Sequence, residues 1–296
     1  MPQGDVKRSS GESFGPNGYW YRWTEIEGKG ENGEQWSERW WEASDWGGTK
    51  ELGASKWGVT RGGDAWRETW REALIVEGTD DNRATNAVVE PIVEREAHKW
   101  ARKGGTADGA TAPQEWEERW HEKYWSLGKT EKSADKWGRQ GDHIWHERWG
   151  ESYDGAGGCL KWTDRWAEAN SGKSKWGDKW EERFSSGQGT KKGETWSVAE
   201  GSSEYHRWWG ETQFGNGQVQ KYGHSTEGEQ WDATEPMDTY YNPIPHFGYA
   251  EALQHSPQLR AVAMLPRDEL LNAKSTSNSN PGKHTVSALD AFFGRE

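Results

Sequence analysis

The sequence predicts an all-β protein, an extended, largely single-layer antiparallel sheet built from tryptophan-rich repeats. A short helical and disordered C-terminal segment follows it. Three observations carry this. Trp pairs recur four residues apart inside a repeated motif. Glycines sit within the motif copies and between them. Aliphatic residues are too few to pack a second layer.

The repeat comes first. The pairs are Trp36/Trp40, Trp66/Trp70, Trp116/Trp120, Trp145/Trp149, Trp162/Trp166 and Trp176/Trp180, in segments reading WSERWWE, WRETWRE, WEERWHE, WHERWGE, WTDRWAE and WGDKWEE. Degenerate copies occur at Tyr19–Glu25 and Tyr205–Glu211. K-W-G recurs at Lys56, Lys136 and Lys175, and G-E-x-W opens segments at Gly33, Gly193 and Gly228. The series beginning at Trp36 and the series beginning at Trp116 run almost in step. Self-similarity of this kind marks a repeat architecture.

A spacing of four fits a helix face and a strand face equally well. Glycine decides for strands. It is disfavoured in a helix interior by about 1 kcal/mol, yet it lies inside WGDKW and KWGRQG, and the chain has 38 Gly. Short segments separated by Gly-rich turns read as strands. Leu, Ile, Val and Phe total only 31 of 296 residues. That level with a net charge of −12 would ordinarily signal disorder. The 24 Trp oppose this, since each can bury on the order of 150–250 Å². Doublets such as Trp40-Trp41 and Trp208-Trp209 put a ring on each face. Both faces therefore carry aromatics, and a sandwich is not expected.

Along the chain, residues 1–18 read as a flexible N-terminal segment and 19–234 as the Trp-rich sheet. Residues 71–113 read as an insertion and loop region within it: 71–97 as a short helix or an edge hairpin, with Pro91 interrupting any long helix, and Lys103–Pro113 as a loop. Residues 235–296 read as a proline-containing segment. Leu253–Leu271 suggests one or two short amphipathic helices, 272–285 disorder, and SALDAFFGRE a docking peptide or a mobile tail.

Composition also excludes function classes. Asp and Glu outnumber Lys and Arg 49 to 37, which disfavours nucleic acid, whose binding relies on cationic neutralisation of phosphates. Anionic membranes are disfavoured for the same reason, and no apolar run approaches membrane-spanning length. The single cysteine, Cys159, allows no intrachain disulfide. The first residues, MPQGDVKRSS, show no apolar signal region.

No catalytic constellation emerges. A glycosidase needs two carboxylates in distinct environments, whereas the acids here recur in every copy. Asp142, His143, His146 and Glu147 form the one candidate metal cluster, but on a strand the two histidines point to opposite faces. Gly172-Lys173-Ser174 lacks the upstream glycine of a phosphate loop, and no G-x-S-x-G elbow occurs. No catalytic residue, cofactor or metal is expected.

The Trp rows have two readings. In one they are only core, and the repeats form a scaffold for protein partners. In the other, indoles flanked by acids and cations stack on sugar rings, matching an apolar pyranose face with a polar rim. Two Trp four apart on a strand lie about 13–14 Å apart, and strands follow at about 4.8 Å, so stripes form that suit a long ordered polymer. A third alternative is a carbohydrate-active enzyme.

The W-x-E-R-W-x-E segments, the K-W-G motifs and the Gly-rich spacers over residues 19–234 resemble the tryptophan-rich domain of the EARLY STARVATION and LIKE EARLY STARVATION family. The resemblance implies a non-catalytic plastid protein of the stroma and starch granule, or a cytosolic one where starch is stored there. It implies a planar sheet whose aromatic stripes bind amylopectin double helices, an α-glucan partner, and a role in organising or protecting ordered glucan and so in its turnover. Carried over, the stripe residues are the six Trp pairs together with Trp57, Trp137 and Trp209.

Overall fold

The computed structural model describes residues 5–31, 33–76, 90–105, 112–237, 245 and 247–266. Fifteen strands follow one another in sequence order in one open antiparallel sheet. They are β1 (Asp5–Phe14), β2 (Trp20–Lys29), β3 (Gln35–Ser44), β4 (Lys50–Val59), β5 (Ala65–Ile75), β6 (Ile92–Lys103), β7 (Gln114–Trp125) and β8 (Lys129–Gln140). Then come β9 (His143–Asp154), β10 (Cys159–Ala169), β11 (Ser174–Ser185), β12 (Gln188–Val198), β13 (Tyr205–Gln213), β14 (Gln218–Ser225) and β15 (Gln230–Pro236). Two short helices follow, α1 (Tyr249–Gln254) and α2 (Pro257–Ala261).

The chain divides into two compact units. The first holds β1–β5, the start of β6, the end of β7 and both helices; the second holds the rest of β6 and β7 and β8–β15.

The turns explain why strands form where they do. Ser186 and Gly187 both take positive φ, 53° and 80°, between Ser185 and Gln188, which pair directly. Such two-residue turns match the twist of the flanking strands. Gly33, Gly63 and Gly228 also take positive φ at hairpin ends.

Glycine within strands has a different cause. Gly58 lies opposite Trp66 and Gly138 opposite Trp145. A Cβ at either would stand 2.6 Å from the facing indole Nε1. The ring thus fills the space above its partner glycine, which returns the packing that a strand glycine otherwise forfeits. The K-W-G motifs at Lys56 and Lys136 are the glycine half of this arrangement.

The helices make the apolar core of the first unit. Leu52 of β4 clusters with Leu259 and Val262, with Trp70 and Leu74 against them. Val93 and Tyr124 cluster with Ala252, joined by Phe247, Tyr249 and Leu253. Helices of six and five residues are too short to persist by themselves, so burial of Leu259 and Val262, 0% and 1% exposed, holds them. The second unit, among its described residues, is sheet alone.

Three expectations are corrected. Residues 5–14, expected as flexible, form β1 and pair with β2 along their whole length; Gly11 leaves room there for the Trp23 indole. The 71–113 region contains the end of β5 and all of β6. The helices begin four residues before Leu253 and end at Ala261. The expectations for 272–285 and for SALDAFFGRE lie outside the described residues.

Candidate functional site

Register converts the repeat into a surface. On one face of the second unit the positions Ala134, Trp149, Thr163, Trp180, Gly193, Trp209, Gly223 and Trp231 lie side by side from β8 to β15. Four residues along each strand, Gly138, Trp145, Ala167, Trp176 and Ser197 form a second row. Each row therefore places an indole on every second strand and a small residue on the strand between. At about 4.8 Å per strand the ring spacing is roughly 9–10 Å, and the rows are about 13–14 Å apart.

β7 extends both rows. Glu115, Glu117, Glu118 and Glu122 contact Arg139, Trp137, Lys136 and Lys132 at 3.2, 2.8, 2.9 and 3.7 Å. These contacts step antiparallel and bring Trp120 level with Ala134 and Trp116 level with Gly138. Trp116, Trp120, Trp145 and Trp176 are 40–46% exposed, and Trp149, Trp180, Trp209 and Trp231 are half-buried.

Between and beside the indoles run rows of charge. Lys136, Glu147, Arg165 and Asp178 are cross-strand neighbours between the two Trp rows. Lys132, Glu151, Lys161, Glu182, Lys191, Glu211 and Lys221 form the other charged row. Acids come from the odd strands and cations from the even ones. Arg165 reaches Asp178 at 3.4 Å. The Lys191 Nζ lies 4.5 Å from the Trp180 ring centre and 5.8 Å from that of Trp209, within cation–π range. Such a face is aromatic and polar yet internally neutralised, so it offers hydroxyl groups many partners without a net field.

The first unit repeats the pattern on one face. Gly28, Trp36, Gly58 and Trp66 form one row from β2 to β5, and Thr24, Trp40, Ala54 and Trp70 the other. Glu38, Lys56 and Glu68 run between them, with Lys56 and Glu38 3.7 Å apart. Trp36 and Trp66 lie open or half-open. Trp40 is only 5% exposed.

The residues expected as one stripe set thus separate by face. Trp36, Trp40, Trp66 and Trp70 share a face of the first unit, while Trp57 is on the reverse, between Ser37 and Arg67. Trp116, Trp120, Trp145, Trp149, Trp176, Trp180 and Trp209 share a face of the second unit. Trp137, Trp162 and Trp166 lie on its reverse, where Trp137, His146, Trp166, Gly177 and Trp196 are neighbours. The expected alignment of Trp on adjacent strands is replaced by alternation on every second strand, because each ring needs the space above a small neighbour.

Sequence reasoning missed Trp231 and Trp196. The signal was there: Trp231 lies opposite Gly223 and Trp196 opposite Gly177, the same indole-over-glycine pairing as in the K-W-G motifs. His143 and His146 lie on opposite faces of β9, His143 3.7 Å from Asp142 and His146 2.8 Å from Asp135. They do not converge on one point. Cys159 is buried opposite Tyr153 and Phe184. Burial chiefly, with the nearby Glu151 charge, raises the Tyr153 pKa above the usual tyrosine range.

On the reverse of the second unit, Trp208 is sandwiched between two imidazoles, 3.8 Å from His206 and 4.9 Å from His224. His206 Nε2 meets Glu194 at 3.2 Å, and Lys179 pairs with the same carboxylate. Burial by itself would raise the Glu194 pKa. The hydrogen bonds and charges of Lys179 and His206 outweigh it and hold the carboxyl below its ordinary value of 4.5.

Fold and surface together define a tryptophan-striped, single-sheet protein. The model of the family described as "Like early starvation, chloroplastic" matches residues 1–248, and the chain belongs to that family. It is 48% identical over 261 residues to the EARLY STARVATION 1 protein of Marchantia polymorpha, covering 88% of this chain and 43% of that protein. It is 47% identical over 256 residues to EARLY STARVATION 1 of Arabidopsis thaliana, covering 86% and 57%. It is 44% identical over 268 residues to LIKE EARLY STARVATION of Arabidopsis thaliana, covering 86% and 43%. All three are named chloroplastic. The chain spans about half the length of these relatives. No solved structure matches.

Proposed function

We propose that this chain is a non-catalytic α-glucan-binding protein. Its ligand is ordered starch, with amylopectin its main component, and its role is to organise or protect that glucan and so to modulate granule turnover. The observation that carries the reading is the pair of parallel indole rows in the second unit, spaced by small residues and bordered by neutralised charge rows. A sugar ring stacks its apolar face on an indole while its hydroxyls meet the carboxylates and ammonium groups alongside. A flat, periodic surface suits an extended, periodic ligand, whereas a small ligand favours a concave pocket. Plastid residence, in the stroma or on the granule, accords with the chloroplastic names of the relatives.

The acids argue against hydrolysis in the same terms. Glu118, Glu147 and Asp178 occupy equivalent positions of successive odd strands, each beside a cation, so none has the distinct environment of a general acid. Sedimentation with washed starch granules tests the reading. Wild type should be retained and released by soluble maltodextrin, and Trp145→Ala with Trp176→Ala should lower retention at least severalfold while circular dichroism is unchanged. Wild type remaining in the supernatant across a range of salt would overturn it, and release of reducing sugar would point to an enzyme.

A further inference from the structure

The two units share a repeat, and one departure from it bears on the striped face. Eighty residues apart, β4 reads Leu52-Gly-Ala54-Ser-Lys56-Trp-Gly58 and β8 reads Lys132-Ser-Ala134-Asp-Lys136-Trp-Gly138. Ala, Lys, Trp and Gly recur in place. The cation Lys132 does not: its counterpart is Leu52. In the second unit this column of even strands is Lys132, Lys161, Lys191 and Lys221. Leu52 stands where that column has a lysine, and it is buried beneath Leu259 and Val262 of the C-terminal segment.

The surrounding charges are rearranged to match. Glu42 and Glu72 flank Leu52 on the neighbouring strands, where the repeat would give them a lysine. Glu42 instead pairs with Arg22, and Glu72 with Arg95 at 3.7 Å. Arg95 in turn donates to the Ala252 carbonyl at 2.7 Å and to Ser256 Oγ at 2.8 Å. Three more bonds tie the segment down, from Lys50 Nζ to the Arg260 carbonyl at 2.7 Å, from Ser44 Oγ to that of Ala263 at 2.7 Å, and from Trp46 Nε1 to that of Leu265 at 3.0 Å. Trp70 packs against this cluster, and Trp70 belongs with Trp40 to the second indole row.

We propose that Leu52 and the segment 247–266 set the width of the ligand face in the first unit, by filling with protein the Trp40/Trp70 row whose counterpart the second unit leaves open. This rests on the glucan-binding reading. The first unit then offers a glucan one row of indoles, Trp36 and Trp66, where the second offers two. The lost lysine is the sequence mark of the boundary.

The test restores the repeat in the full chain with Leu52→Lys, whose ammonium would meet Glu42 and Glu72, and attacks the same contact from the other side with Leu259→Asp. Without ligand, trypsin cutting at Arg260, read by mass, should accelerate at least tenfold in both variants. Retention on granules should rise severalfold in both, although they add opposite charges, and adding Trp70→Phe should remove that gain. Unchanged cutting and retention in both variants would overturn the proposal, as would retention that falls. If wild type is not retained, the glucan reading itself fails, and the Arg260 cut still reports separately whether Leu52 holds the segment in place.

Discussion

At the residue scale, the unit of construction is one indole over one glycine. The ring supplies buried area to a backbone position that has no side chain of its own, and its outer surface remains available. Gly138→Ala would put a methyl group 2.6 Å from Trp145 Nε1. Overpacking of that kind costs about 1–3 kcal/mol. Chemical denaturation should show a loss of that order and glucan retention should fall, because Trp145 must lift from the sheet. Glu194 gives a second expectation. Its folded pKa lies below 4.5, so its contribution to stability is complete above that value and is lost as pH falls through the folded one. Glu194→Gln should lower stability most at neutral pH, and the gap from wild type should narrow below pH 4.5. Melting curves across that range check it; a gap that widens in acid would contradict the assignment.

At the scale of elements, odd and even strands differ on the Trp-striped face. In the rows described above, odd strands carry Trp and acid, and even strands carry small residues and cations, Leu52 excepted. Ala167, between Trp145 and Trp176, tests this. Ala167→Ile puts a branched side chain between two rings that stand beside a small residue, and overpacking of that kind is destabilising by about 1–3 kcal/mol despite the gain in strand propensity. The melting temperature should fall by a few degrees, and granule retention measured well below it should fall severalfold. Much of this was legible in the sequence: the W-x-E-x-W-x-E copies gave the strands, their period of two and the aromatic-acid face. What was not legible was register. Which residue stands opposite Trp149 depends on turn length and on pairing energies spread over many residues, so Thr163 and Ala134 could not be named beforehand. The strand character of residues 5–14 was hidden for a related reason. An edge strand is fixed largely by its neighbour's backbone, and DVKRSSGESF advertises little of its own.

At the scale of the whole molecule, stability comes from backbone ladders, cross-strand aromatic contacts and paired charges more than from a conventional core. Buried leucine and valine cluster where the C-terminal segment docks, at Leu52, Val93, Leu259 and Val262 with Leu74 packed against them, and the sequence showed that segment only as one or two short amphipathic helices over Leu253–Leu271. The net charge of −12 sits on a surface whose acids and bases alternate. A neutral polysaccharide gains little from the long-range field, so raising ionic strength from about 0.05 to 0.5 M, which shortens screening from roughly 14 to 4 Å, should change granule retention by less than about twofold. A steep decline with salt would instead indicate an anionic ligand.

The alternation of Trp and small residues has one further consequence, for how such a protein can lengthen. Adding a single strand would break each row at the point of insertion, setting ring beside ring or small residue beside small residue there. Adding two strands at once leaves each row intact. The near-duplication from Trp36 to Trp116 spans β3 to β7, an even step of four strands. A chain built in this way can grow only by whole hairpins, and each hairpin it gains lengthens every row by one ring.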